Sequence, residues 1–176
     1  MIGALNVYDF AGSEMCGAAI KITGPESTIV IRIVDLCPEC PRGNVDLSPH
    51  AFSLIADTTL GHVPVRWQLV PNSVNGPIAY RFKDSINIWW AAVQIRNHRY
   101  PIYSVEYKDM EGKFQNLSRT SYNYFEGYPA MGKNPFTFRA TDIFGHVLVD
   151  SGIIPVYGKD IDGQKQFPIC PIHEGR

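Results

Sequence analysis

The chain has 176 residues, 45% of them apolar and 19% charged, with a formal net charge of -1. This is the make-up of one ordinary globular domain or two small ones, and it excludes disorder and collagen-like repeats. A near-neutral charge gives no bulk attraction to nucleic acid, and no apolar run approaches the roughly 20 residues of a membrane span. The opening MIGALNVYDF has neither the basic nor the apolar region of a signal peptide.

Strand patterns dominate the first part. In STIVIRIVD, Ile29, Ile31 and Ile33 alternate with Val30, Arg32 and Val34, the pattern of a half-buried strand. The strand delivers the chain to DLCPECPRG, where Cys37 and Cys40 form a C-x-x-C motif. Such spacing serves redox chemistry, zinc or a disulfide. Pro38 and Pro41 place it in a turn rather than at the helix start that a thioredoxin-like site requires. Zinc would need more ligands than the nearby Cys16 offers. A disulfide is therefore expected, Cys16 pairing with Cys37 or Cys40, and with it an oxidising, secreted setting.

Next comes LSPHAFSLIA, a short helix with Ser48 as N-cap and Pro49 at its first position. Phe52, Ile55 and Ala56 share its buried face. VPVRWQLV returns to alternation and sets Trp67 on the apolar side with Val63, Val65 and Leu69, a core position. VPNSVNGPIAY then breaks the pattern with prolines, asparagines and a glycine, marking a short linker near Pro71 and Asn72.

Beyond it lie IAYRFK, WAAVQIRN, IYSVEYK, KFQNLSR, FTFRATDI and HVLVDSG, with turn residues between them. Six or so short strands at about 10-residue spacing and no helix predict a β-sandwich. Two domains follow, residues 1–71 and 72–176. The first carries 4 Lys/Arg against 7 Asp/Glu and the second 12 against 10, too small an imbalance to name a partner.

Two groups of residues carry candidate chemistry. Asp35 ends one strand and Asp46 precedes the short helix. Paired carboxylates are the equipment of glycoside hydrolysis, although aspartate is equally a turn and cap residue. In the second domain Trp89, Trp90 and Tyr122 are flat groups suited to stacking on sugar rings, with Lys83 close by in sequence. Large aromatics are usually core. Adjacent residues of a regular strand face opposite ways, however, so Trp89 and Trp90 cannot both enter a thin sandwich without a bulge. His98 has no Ser, Cys or metal constellation beside it and is expected to be structural.

VDLCPECPRGNVDLSPHAFSLIA, followed by KDSINIWWAAVQIRNHRYPI, resembles a microbial expansin, and the similarity runs from about Ala4 to about Phe167. The resemblance implies a mainly all-β chain: a six-stranded double-psi β-barrel, then an immunoglobulin-like sandwich acting as a carbohydrate-binding module. It implies a secreted monomer that loosens plant cell walls without hydrolysis, binding cellulose and other wall polysaccharides, with no cofactor and no metal. Carried over, Asp46 is the barrel aspartate that corresponds to the proton donor of related wall hydrolases, and Asp35 follows the preceding strand. Trp89, Trp90 and Tyr122 form the cellulose platform, with Lys83 as the basic residue beside it. Members carry about 35 further residues in front, at ordinary strand lengths, so the barrel is expected to lack its first strands. Two alternatives remain: a binding module with an inert barrel, and a glucan hydrolase or lytic transglycosylase using Asp46.

Overall fold

The computed structural model describes residues 1–84, 90–127, 131–156 and 158–170, which separate into two compact units, Met1–Asn72 and Ser73–Arg176. The first unit contains strands β1 (Ile2–Asn6), β2 (Ala19–Thr23), β3 (Thr28–Cys37), β4 (Val45–Leu47) and β5 (Arg66–Val70). Two short helices interrupt them, α1 (Val7–Phe10) and α2 (Pro49–Phe52). The strands form one sheet in the order β4-β1-β3-β2-β5, five strands where the resemblance implies six. β1 runs parallel to β3, and the other pairings are antiparallel.

The isoleucine alternation builds the core of this unit. Ile29, Ile31 and Ile33 are buried, together with Leu5, Ile20 and Ile22 from neighbouring strands and Ile55 from the turn after α2. Ser48 is the N-cap residue of α2, yet its side chain makes no capping bond. Trp67 packs against this core but stays half-buried, because β5 is the last strand of the sheet. Its indole N–H donates to the Gly43 carbonyl at 3.0 Å.

The disulfide differs from the expected one. Cys37 ends β3, the chain turns through Pro38 and Glu39, and Cys40 N–H returns to the Cys37 carbonyl. The turn leaves the two Cα atoms 5.4 Å apart, and the bridge joins Cys37 to Cys40, within the ordinary reach of a disulfide. Cys16 takes no part in it. That residue sits in the turn before β2 and packs against the isoleucine core.

The second unit is a sandwich of two antiparallel sheets. Its strands are β6 (Ala79–Phe82), β7 (Ala91–Arg96), β8 (Ile102–Lys108), β9 (Phe114–Asn116), β10 (Ser118–Arg119), β11 (Phe125–Gly127), β12 (Phe136–Asp142), β13 (Val147–Ile153) and β14 (Asp160–Asp162). One sheet runs β10-β11-β7-β6-β14 and the other β13-β12-β8-β9. KFQNLSR, which reads as one strand, divides at Leu117: β9 belongs to one sheet and β10 to the other. Leu117 itself is buried between them.

Aromatic residues dominate the sandwich core. Tyr80 stacks on Phe138 at 5.2 Å between ring centroids, and Phe82 stacks on Phe136 at 5.8 Å. The Tyr80 hydroxyl donates to the buried Asp150 at 2.9 Å, and Asp150 also accepts from Gln164 N–H. Burial, with the Asp150 carboxylate beside it, pushes the Tyr80 phenol far above its usual range, so it remains a donor at every physiological pH. His98 is buried, and its Nδ1–H donates to the Tyr100 carbonyl at 2.7 Å.

Candidate functional site

Backbone register brings the two aspartates of the first unit together. Ala4, in the middle of β1, is the Cα partner of Asp35 on β3 and of Asp46 on β4. The carboxylates therefore flank one small residue, two strand spacings apart, or about 10 Å between their Cα atoms. Asp35 does not end its strand, as its position in the sequence suggests; β3 continues to Cys37. A bulge decides its direction. The β1–β3 register passes from Gly3↔Ile33 to Ala4↔Asp35 and skips Val34. Without that extra residue, alternation would turn Asp35 inward beside Ile33. With it, Val34 and Asp35 are both exposed.

Gly3 allows the strands to approach this closely. A Cβ on Gly3 would lie 2.7 Å from the Asp46 carbonyl and 2.7 Å from the Ile31 side chain. The loop that leads into β4 is held by the fully buried Asn6. Its side-chain amide donates to Asp9 and to the Asn44 carbonyl, while its oxygen caps α1 through Tyr8 and Asp9 N–H. Asp9 accepts in turn from Gly43 N–H at 3.0 Å. Asp46 is exposed, and Asp35 accepts from its neighbour Leu36 N–H at 2.8 Å. A cleft of about 510 Å³ in this unit is lined by Val45 and Leu47. Strand alternation puts it on the opposite face of β4 from Asp46, so it is no part of the aspartate pair.

In the second unit Lys83 and Tyr122 meet beside the β10-β11-β7-β6-β14 sheet. Phe125 pairs with Val93 and faces the core, which turns the next pair, Glu126 and Ala92, outward. Lys83 follows the inward Phe82, and its N–H donates to the Ala92 carbonyl at 3.0 Å. The Lys83 ammonium lies 4.3 Å from the ring centroid of Tyr122 and 5.8 Å from that of Tyr124. Tyr122 is thus held at two points, for its hydroxyl also donates to Glu126 at 2.7 Å. Tyr122 as a residue is 49% exposed, so part of it stands in solvent with Lys83 over the ring.

Lys83 and Tyr122, both candidates from the sequence, lie together, the ammonium over the ring. Trp90 directly precedes β7, two residues before the outward Ala92, and is half-buried. Trp89 lies outside the described residues. Sequence reasoning missed Tyr124 and Glu126. Their signal was the alternation in YFE, which sets Tyr124 and Glu126 on the side away from Phe125, while Tyr122 sits in the preceding turn, where Asn123 has a positive φ of 60°. Among the described residues no cluster of three or more His, Cys, Asp or Glu side chains is placed to hold a metal ion, and no helix is long and apolar enough to cross a membrane.

A mainly-β chain with exposed paired aspartates in one unit and a solvent-facing aromatic group on a sandwich in the other has the organisation of a glucan-interacting protein. Residues 8–67 match the lytic transglycolase family. The chain is 34% identical to Expansin-YoaJ of Bacillus subtilis over 168 residues, 92% of this chain and 71% of that protein. Expansin-like protein 2 of Dictyostelium discoideum is 34% identical over 131 residues, 71% of this chain and 32% of that protein. The crystal structure of an apo expansin from Clavibacter michiganensis superposes with a TM-score of 0.89 at 27% identity, covering 97% of this chain and 84% of that one. A mutant of that expansin in complex with cellohexaose matches equally well. The chain belongs to the expansin family. Its fold is a double-psi β-barrel domain followed by a β-sandwich domain.

Proposed function

We propose that this protein binds cellulose through the aromatic face of its second unit and loosens plant cell walls by disrupting non-covalent contacts between glucan chains, without hydrolysis. The observation that carries the reading is Tyr122, braced by Lys83 and Glu126 and about half exposed to solvent. A pyranose presents an apolar face of axial hydrogens, and a ring held in place loses little freedom when a sugar settles on it. Trp89, Trp90 and Tyr122 together form the platform in this reading, and the site of action is outside the cell. The cellohexaose held by the related Clavibacter protein is a soluble piece of the same polymer.

Asp46 and Asp35 serve the first unit as hydrogen-bonding groups for a glucan strand. General-acid chemistry draws on a carboxyl shielded from water, whereas both of these stand in solvent. The match of residues 8–67 to the lytic transglycolase family favours a second reading, in which Asp46 is a working acid. Two measurements separate the readings. Creep of stretched wall strips is expected with the wild type and lost with Asp46→Ala, while cellulose retention is unchanged. Release of reducing or anhydro ends from cellulose and mixed wall glucans is expected to stay at background. Sustained release that disappears in Asp46→Ala overturns the non-hydrolytic reading.

A further inference from the structure

The second unit holds a polar cleft that the aromatic face does not use. It opens where the chain leaves β9 in one sheet and enters β10 in the other, with a volume of about 480 Å³, inside the usual 300–1,000 Å³ range of ligand clefts. Tyr107, Asp109, Gln115, Asn116, Ser118 and Glu126 line it. These residues supply amide and hydroxyl donors together with amide and carboxylate acceptors, and no Lys or Arg is among them. Closely spaced planar amides and carboxylates pair with the adjacent hydroxyls of a neutral sugar. No Lys or Arg lines the cleft among the described residues, although Lys113 stands close enough to act on Asp109, and the two carboxylates disfavour a uronic acid or any other anion.

Two features make this more than a dent in the surface. The Gln115 amide donates to Asp109 at 2.7 Å, which orients Gln115 in the cleft wall, and the same carboxylate caps the turn through Glu111 and Lys113 N–H. That bond from Gln115, then the one from Lys113 N–H, holds Asp109 below the usual carboxylate range, so it stays an acceptor in mildly acidic surroundings. The second feature is Glu126. It lines the cleft and also accepts the Tyr122 hydroxyl at 2.7 Å. The cleft therefore begins one side chain away from the ring on which the glucan backbone rests.

We infer that this cleft is a side site for a neutral sugar branch carried by a glucan whose backbone lies on Tyr122. The inference rests on the proposed cellulose-binding reading and adds a preference for substituted glucans. It is tested by calorimetric titration of the full chain with three probes: cellohexaose, a backbone-matched oligosaccharide with neutral xylosyl branches, and one with uronic acid branches. The neutral branched probe is expected to bind about fivefold more tightly than cellohexaose, the gain of one or two net hydrogen bonds. The acidic probe gains nothing. The double variant Gln115→Ala/Asn116→Ala, which alters two exposed side chains, is expected to remove the excess and leave cellohexaose affinity unchanged.

Equal wild-type affinity for the branched and unbranched probes overturns the side site alone. So does an excess that survives the double variant, or one abolished by a chelator, which would make the cleft a cation site. Failure of the wild type to hold any of the three probes defeats the platform reading as well. Weakened cellohexaose binding in Trp90→Ala/Tyr122→Ala keeps the two outcomes separate.

Discussion

The two units place their candidate groups by different means. In the first, backbone register does the positioning: Asp35 and Asp46 flank Ala4 because of one skipped residue and one glycine. Their side chains then stand in solvent with little to hold them. In the second, side chains hold a side chain. Tyr122 has a cation beneath it, a carboxylate on its hydroxyl and a second tyrosine 5.8 Å away. Exposed carboxylates remain hydrated and adaptable, which suits transient contacts along a glucan. A braced ring is already in its bound geometry, which suits affinity. On the proposed reading, the sandwich grips the polymer and the barrel manipulates it.

Substitutions can break this division. The largest effect is expected from Trp89→Ala/Trp90→Ala/Tyr122→Ala, at about 1–2 kcal/mol per ring. It should abolish retention on microcrystalline cellulose with the melting temperature unchanged, and binding that persists would place the grip elsewhere. Close behind is Phe138→Ala, which opens a hole in the stacked aromatic core. A cost of about 3–5 kcal/mol should appear in the denaturation of the sandwich, and cellulose binding should be lost with its fold.

A third test concerns the barrel. Cys37→Ser/Cys40→Ser removes a crosslink that closes a very short loop, worth about 2 kcal/mol on chain-entropy grounds. Stability of the first unit should fall in chemical denaturation, creep should weaken, and cellulose retention should not change. Cys16→Ser should leave the bridge intact, as mass spectrometry under non-reducing conditions would show. The smallest effect is expected from Lys83→Met, which keeps the stem but removes the charge under Tyr122. A loss of about 0.5–1 kcal/mol in cellulose affinity is expected, with weak salt dependence, because the contact is short and within one molecule. A steep salt dependence in the wild type would show instead that Lys83 meets the polymer directly.

Much of the architecture could be read from periodicity. Ile29, Ile31 and Ile33 announce a strand with one buried face, and the break at VPNSVNGP falls where the contacts divide, between Asn72 and Ser73. Phe125 between two outward tyrosine and glutamate positions carries the same kind of signal, although Tyr124 and Glu126 were not picked out by it. A bulge has no such signature: nothing in IVDLC reveals that Val34 goes unpaired, and so Asp35 reads as a strand end rather than an outward residue within one. The cysteine pairing was hidden for a similar reason. Chemistry permits Cys16, Cys37 and Cys40 to combine in several ways, and only the return of the chain through Pro38 and Glu39 chooses among them.

The sequence by itself announced much of the buried alternation and which side chains have the chemistry to meet a sugar, because alternation is a property of neighbours along the chain. It did not settle the end of β3, the division at Leu117 or the half-burial of Trp67. The tertiary structure alone decided which of those side chains meet: Ala4 between two aspartates, Lys83 under Tyr122, and Glu126 shared between a ring and a cleft. Each of these depends on register between strands distant in sequence. Register is set by the summed packing of whole faces, and no local pattern encodes that sum.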